Sequence, residues 1–155
     1  MVKTNAMRKL DTLKIKYSVH SYAETDAISG VEVAAILGEE PARVFKTLVT
    51  VGKSGANYVF IVPVAEELDL KKAARAANEK SIEMIKSKEL LPLTGYIHGG
   101  CSPIGMKKLF QTFLNDTAEN FSTIFVSGGK IGYQLELSPE DLGKAVPLTF
   151  QDLIK

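Results

Sequence analysis

Two periodicities alternate along the chain and divide it into short elements. Met7, Leu10 and Leu13 recur at helical spacing, so a first helix is predicted over residues 5–13, ending near Lys14. Residues 17–22 switch to the alternation of a strand. Ser29 or Asp26 can cap a helix that runs through Leu37, with Val31, Val33, Ala34 and Leu37 inward and Gly38 as its stop. Residues 42–51 then read as a long strand, and the GKSGAN turn sends the chain back along YVFIVPV in a central antiparallel hairpin. Both strands are apolar on either face, which predicts cover on both sides of the sheet.

Beyond the hairpin the elements shorten. Asp69 caps LKKAARAAN, whose Leu70, Ala73, Ala74 and Ala77 form a narrow apolar stripe with the basic residues outside it, a solvated face. Residues 81–85 read as a short strand, and Ser87 opens a helical turn that Pro92 ends. LFQTFLN reads as a strand and DTAENF as a turn of helix. STIFVS and YQLELS form a second hairpin around SGGKIG, Ser138 starts another helix, and a short apolar helix is predicted at residues 150–154. No repeat, linker or low-complexity segment interrupts the 155 residues, so one domain is expected over residues 1–155.

Two places break this pattern. TGYIHGGCSPIGMKK, residues 94–108, holds four glycines and one proline with no sustained period, yet Tyr96, Ile97, Ile104 and Met106 predict a loop folded inward. Glycine admits positive φ and the close approach of a ligand, and a run of N–H groups ahead of Pro103 can hold an oxygen. The second is Lys46. Flanked by Val44, Phe45, Leu48 and Val49, it must snorkel to water, pair with a carboxylate or face a pocket.

Composition narrows the chemistry further. A hydrophobic fraction of 45% and a charged fraction of 24% fit a soluble globular protein, and the absence of a membrane-length apolar stretch or a leader-like start predicts a cytoplasmic one. Net charge is +1, too little to coat a long nucleic acid, although contact with one end of a nucleic acid remains open. The single cysteine, Cys101, excludes an internal disulfide and a structural zinc site, and two histidines, His20 and His98, do not make a metal site. His20 is expected to be paired or half-exposed, and Cys101 to be a small buried thiol. Serine-hydrolase, Walker and HExxH motifs are absent, and GGK at residues 128–130 lies between strands instead of opening a helix. The residues themselves therefore lead to an α/β domain with one glycine-rich pocket and one oddly placed lysine.

Five segments carry a resemblance that goes further: VFKTLV, ELDLKKAA, TGYIHGGCSPIGMKK, TIFVSGGKIG and LELSPEDL. In this order they resemble the YbaK family of Cys-tRNA(Pro) deacylases, nearly end to end, and the related editing domain of bacterial prolyl-tRNA synthetases. The resemblance implies a mixed α/β single domain with a mostly antiparallel, barrel-like central sheet flanked by short helices. It implies a trans-editing enzyme that removes cysteine from mischarged Cys-tRNA(Pro), and also from Cys-tRNA(Cys), with no cofactor or metal. Its partners would be the tRNA acceptor end and prolyl-tRNA synthetase. The alternatives are removal of alanine from tRNA(Pro) by water, or a non-catalytic tRNA- or synthetase-binding module.

Residue by residue, Lys46 matches the family's essential lysine, expected to hold the terminal nucleotide and orient the ester. Gly99 and Gly100 begin the GxxxP loop that ends at Pro103 and are expected to bond the carbonyl. Substrate contacts are expected from Tyr22, Ser29, Thr47, Ser102, Pro103, Ser127, Gly128 and Gly129. The family's chemistry is attack by the substrate's own thiol, which a site without a protein base can use if it aligns the ester and steadies the oxyanion. Gln134 stands where some relatives carry aspartate, and Ser29 where some carry phenylalanine, so neither of those roles carries over.

Overall fold

The computed structural model describes residues 3–27 and 29–155. Its elements follow the order α1 (Asn5–Thr12), β1 (Ser18–Ser21), α2 (Gly30–Leu37), β2 (Phe45–Gly52), β3 (Asn57–Pro63), α3 (Leu70–Ala77), β4 (Ile82–Met84), α4 (Ser87–Thr94), β5 (Gln111–Asn115), β6 (Ile124–Ser127), β7 (Tyr133–Leu137), α5 (Pro139–Ala145) and β8 (Leu148–Gln151), with 3-10 turns at Pro41–Arg43 and Asp116–Asn120.

The helices start and stop where side chains can satisfy their free ends. Ser29 and Glu32 close a reciprocal capping box on α2, which Gly38 ends in the left-handed conformation. Asp69 accepts from the N–H groups of Lys71 and Lys72 at the head of α3, and Ser138 accepts from Asp141 N–H at the head of α5. Ser29→Ala is expected to cost about 1 kcal/mol through the lost cap; urea unfolding checks it, and an unchanged midpoint would contradict the role given to the cap.

The strands form two open sheets. One is antiparallel, in the order β1-β7-β6; the other runs β4-β2-β3-β5-β8, antiparallel across β4-β2-β3 and parallel across β3-β5-β8. The expected barrel-like, mostly antiparallel sheet is therefore corrected to a mixed sheet with free edges at β4 and β8. Parallel pairing enters because the long excursion through α3, β4 and α4 lets β5 return in the same direction as β3. A parallel bridge between Val44 and Phe125 joins the two sheets.

Packing explains the other departures. Met7, Leu10, Phe45, Val49, Ile61, Leu114, Ile124 and Leu135 share the larger core, while Phe60 and Phe113, paired in register and stacked 5.2 Å apart, centre a smaller one under α3. Val31 and Leu70, predicted inward, are 45% and 44% exposed, each in the first turn of its helix and ahead of the first residue that the helix buries. Ile97 is 53% exposed, while Tyr96 and Ile104 of the same loop are buried as predicted. Pro92 sits inside α4, which continues to Thr94 and ends at Gly95. The helix predicted at the C-terminus is a strand: β8 runs parallel to β5, and Leu153 N–H donates to the buried Asn115 side chain (3.0 Å). Leu148 and Phe150 alternate inward with Thr149 and Gln151 outward, a period of two.

Candidate functional site

The position of β2 creates the site. Val44, just before the strand, is bridged to β6, and Thr50–Gly52 pair with β4, so residues 45–48 are hydrogen-bonded to β3 on one side and paired with no described strand on the other. A pocket of about 610 Å³ opens along that unpaired edge. Small-molecule sites have volumes of roughly 300–1,000 Å³. Its walls are largely apolar, with Val33, Val44, Phe45, Val49 and Val126 among them.

Lys46 lines this pocket half-buried, and its ammonium makes no hydrogen bond or ion pair with any described residue. Because Lys46 pairs with Val62 and Leu48 with Phe60, these side chains leave β2 on the face of the smaller core, whereas Phe45, Thr47 and Val49 leave on the other. Both sets reach the pocket because it wraps the open edge of the strand. Thr47 Oγ1 is buried there without a hydrogen-bond partner among the described residues.

The glycine-rich loop forms another wall. Tyr96 fixes it: its hydroxyl donates to Ile104 O (2.6 Å), Ile104 N–H donates to Ser102 Oγ (3.2 Å), and Lys107 N–H returns to Thr94 O (3.0 Å). Gly99 has φ +86°, the left-handed region where a side chain is strained, and it lines the pocket. Its N–H donates to no described residue, but that of Gly100 closes a turn onto Ile97 O (3.0 Å). Gly100 instead permits a close approach, since a Cβ there would lie 3.0 Å from Ile131 N and 3.2 Å from Lys130 Cα.

Of the residues predicted for the site, Tyr22, Ser29, Lys46, Thr47, Gly99 and Ser127 line this one pocket. Gly100, Ser102, Pro103, Gly128 and Gly129 stand behind the wall. Ser102 and Pro103 are buried, Gly128 N–H donates to Tyr133 O (2.9 Å), and Gly129 N–H donates to Ser127 Oγ (3.3 Å). Sequence reasoning assigned no role in the site to the β4–α4 wall, including Lys86 and Ser87, nor to Tyr133, and named Gln134 only as a departure from the aspartate of some relatives.

No nucleophile of the protein is poised in the pocket. Burial pushes the Cys101 thiol up to about 12, against the opposing pull of a hydrogen bond with the Thr94 side chain, and its Sγ lies 4.0 Å from Ser102 O. At pH 7 the thiol is therefore protonated. His98 is exposed on the pocket wall and makes no hydrogen bond with a described residue, while His20 is paired with Glu136 (2.9 Å) outside the lining. Among the described residues no three His, Cys, Asp or Glu side chains gather to hold a metal ion. Among the described residues the arrangement offers the ammonium groups of Lys46 and Lys86, the unbonded N–H of Gly99 and buried polar oxygens in an apolar cavity. Such a site can orient and polarise an activated ester without attacking it.

Residues 24–145 match the aminoacyl-tRNA editing domain family. A protein of Enterococcus faecalis, EbsC, named as a candidate Cys-tRNA(Pro)/Cys-tRNA(Cys) deacylase, is 50% identical over 139 residues, covering 89% of this chain and 85% of its own length. Among solved structures, a candidate trans-editing enzyme for prolyl tRNA synthetase superposes with a TM-score of 0.84 at 25% identity, covering 100% of this chain and 99% of that one. The hypothetical protein APE2540 shares the fold with a TM-score of 0.89 at 20% identity, covering 97% of this chain and 99% of that one.

Proposed function

Because the chain belongs to the aminoacyl-tRNA editing domain family, we propose that it is a trans-editing deacylase, with residues 1–155 acting as one editing domain that removes cysteine from Cys-tRNA(Pro) and Cys-tRNA(Cys). The observation that carries this reading is that an unpaired Lys46 and Gly99, whose N–H bonds no described residue, both line one apolar pocket. Its volume exceeds what a cysteinyl group needs and leaves room for the terminal nucleotide.

In the proposed reaction Lys46 holds the terminal nucleotide, and Gly99 N–H bonds the ester carbonyl as charge develops on its oxygen. The substrate's thiol sulfur forms a bond to the carbonyl carbon, the ester C–O bond breaks, and the thiol proton passes to the departing ribose oxygen. Tyr22, Ser29, Thr47 and Ser127 surround the aminoacyl group. Gly100, Ser102, Pro103, Gly128 and Gly129 hold the walls in place. Proline is spared because it has no thiol, a stronger filter than size, which discriminates only about 10–200-fold per methylene.

A net charge of +1 favours weak intrinsic affinity for tRNA. The proposed setting is therefore the cytoplasm, with prolyl-tRNA synthetase handing over its product. Among the described residues no helix is long and apolar enough to cross a membrane.

A panel of Cys-, Ala- and Pro-tRNA(Pro) tests the assignment: rapid loss of the cysteinyl ester alone is expected, and selective loss of the alanyl ester would replace it with a water-driven reaction. If charged tRNA binds with its ester intact, the protein is a binding module. Cys101→Ala is expected to keep the rate within a factor of about three, since the thiol is protonated; a near-complete loss would identify a nucleophile in the protein.

A further inference from the structure

Among the described residues that line the pocket are two lysines, Lys46 and Lys86, and no aspartate or glutamate. Neither ammonium makes a hydrogen bond or an ion pair with a described residue. Cations gathered in an apolar cleft without counter-charges raise the potential there, however close to neutral the whole chain is at +1. Such a cleft calls for an anion. The aminoacyl group brings none, since its ester is neutral and its amine is a cation when protonated. The anions of the substrate are the phosphates of the acceptor strand.

The two lysines stand at different depths. Lys46 is half-buried on the unpaired edge of β2, whereas Lys86 is exposed. β4 pairs with Thr50–Gly52, and Ile85 N–H donates to Val49 O (3.3 Å), so the chain leaves the side of β2 at Lys86, where the open edge of that strand begins. Lys86 therefore marks the solvent side of the pocket, at the head of α4. Its charge does not serve the helix, because a cation is unfavourable at the positive, N-terminal end of the helix dipole. Glu83 and Glu89, its nearest carboxylates along the chain, form no ion pair with it. The β6–β7 turn also brings a lysine, Lys130, but it lies outside the lining, with its ammonium 5.9 Å from the centre of the Tyr133 ring.

We propose that Lys86 binds a backbone phosphate on the 5′ side of the terminal nucleoside, so that the acceptor strand leaves the pocket across the β4–α4 wall while Lys46 and Gly99 stay with the ester. The assignment rests on the deacylase reading of the same pocket and adds the direction from which the polynucleotide enters it. Lysine meets a phosphate as a point charge, and its long stem lets an exposed ammonium follow a flexible strand. The contact lies away from the ester, so it is equally strong before and during the reaction. Its loss weakens binding without slowing the bound complex.

The test is single-turnover deacylation of Cys-tRNA(Pro) at rising enzyme concentration, repeated at several salt concentrations. Lys86→Gln is expected to raise the half-saturating concentration by about 3- to 10-fold at low salt and to keep the maximal rate within about twofold. The fall of log affinity with log salt should become shallower by about 0.7, the share of one single-strand phosphate contact. Lys86→Arg should retain most of the affinity, since either cation can hold a phosphate. Lys88→Gln removes the same charge two residues away and outside the lining, and should change neither affinity nor salt slope. An unchanged affinity or salt slope in Lys86→Gln, an equal loss in Lys88→Gln, or a maximal rate that falls with the charge overturns the assignment alone. A wild type that leaves the ester intact overturns the deacylase reading and the assignment with it.

Discussion

Lys46→Ala is expected to lower single-turnover deacylation of Cys-tRNA(Pro) by about 10²–10³-fold, the size of effect seen when one preorganised electrostatic contact is removed from a reacting centre. The lysine stands half-buried among apolar neighbours with no described carboxylate or carbonyl to satisfy it. A cation kept in that condition costs stability unless a ligand uses it. Two measurements should therefore move in opposite directions. Lys46→Met, which keeps the stem and drops the charge, should match or exceed the wild-type unfolding midpoint while activity collapses. Lys46→Arg should recover little, because a planar fork does not reproduce a compact ammonium at one point in a pocket. Equal rates for wild type and Lys46→Ala would remove the lysine from the reaction.

Gly100→Ala should reduce kcat/KM by about 100-fold, the penalty for displacing a reacting group by roughly 1 Å. The added methyl would meet backbone atoms of Lys130 and Ile131, at 3.2 Å and 3.0 Å, and a backbone cannot rotate aside as a flexible side chain can. The loop must then move away from the β6–β7 turn and carry the Gly99 N–H with it. Gly99→Ala acts differently: its Cβ would find Ile131 side-chain atoms at an ordinary 3.4 Å, but φ +86° makes any side chain strained by about 1–2 kcal/mol. The two variants should separate, with Gly100→Ala losing more activity and Gly99→Ala losing stability at least as clearly. Unchanged kinetics in Gly100→Ala would mean that the close contact between the two loops does not position the site.

Local signals made most of the elements legible. Ser29, Asp69 and Ser138 announce helix starts by their capping chemistry, and the GKSGAN turn between two apolar runs announces the central hairpin. What escaped was non-local. Phe150, Leu153 and Ile154 suit a helix on spacing alone; only the presence of β5 alongside makes residues 148–151 a strand. The closed sheet implied by resemblance gives way to free edges at β4 and β8, which depends on strand order and not on any one segment.

The candidate site divides in the same way. Lys46 and Gly99 stood out because each violates a local rule, a charge in an apolar strand and a glycine pair in an inward-folded loop. Gln134 was noted only as a departure from the aspartate of some relatives and given no role, since a polar residue in an alternating strand otherwise looks like a solvent-facing position. The gap along β2 that creates the pocket is set by where β4 and β6 take hold of the strand, and no short stretch of sequence encodes both.

The central claim is that the pocket supplies alignment and charge while the substrate supplies the attacking atom. Replacing the thiol with a hydroxyl tests this most directly, by comparing single-turnover release from Cys-tRNA(Pro) and Ser-tRNA(Pro) with the same enzyme. The account predicts fast loss of the cysteinyl ester and a seryl ester that survives near its spontaneous rate. Comparable release of both would contradict it, because water or a protein group would then be doing the attack.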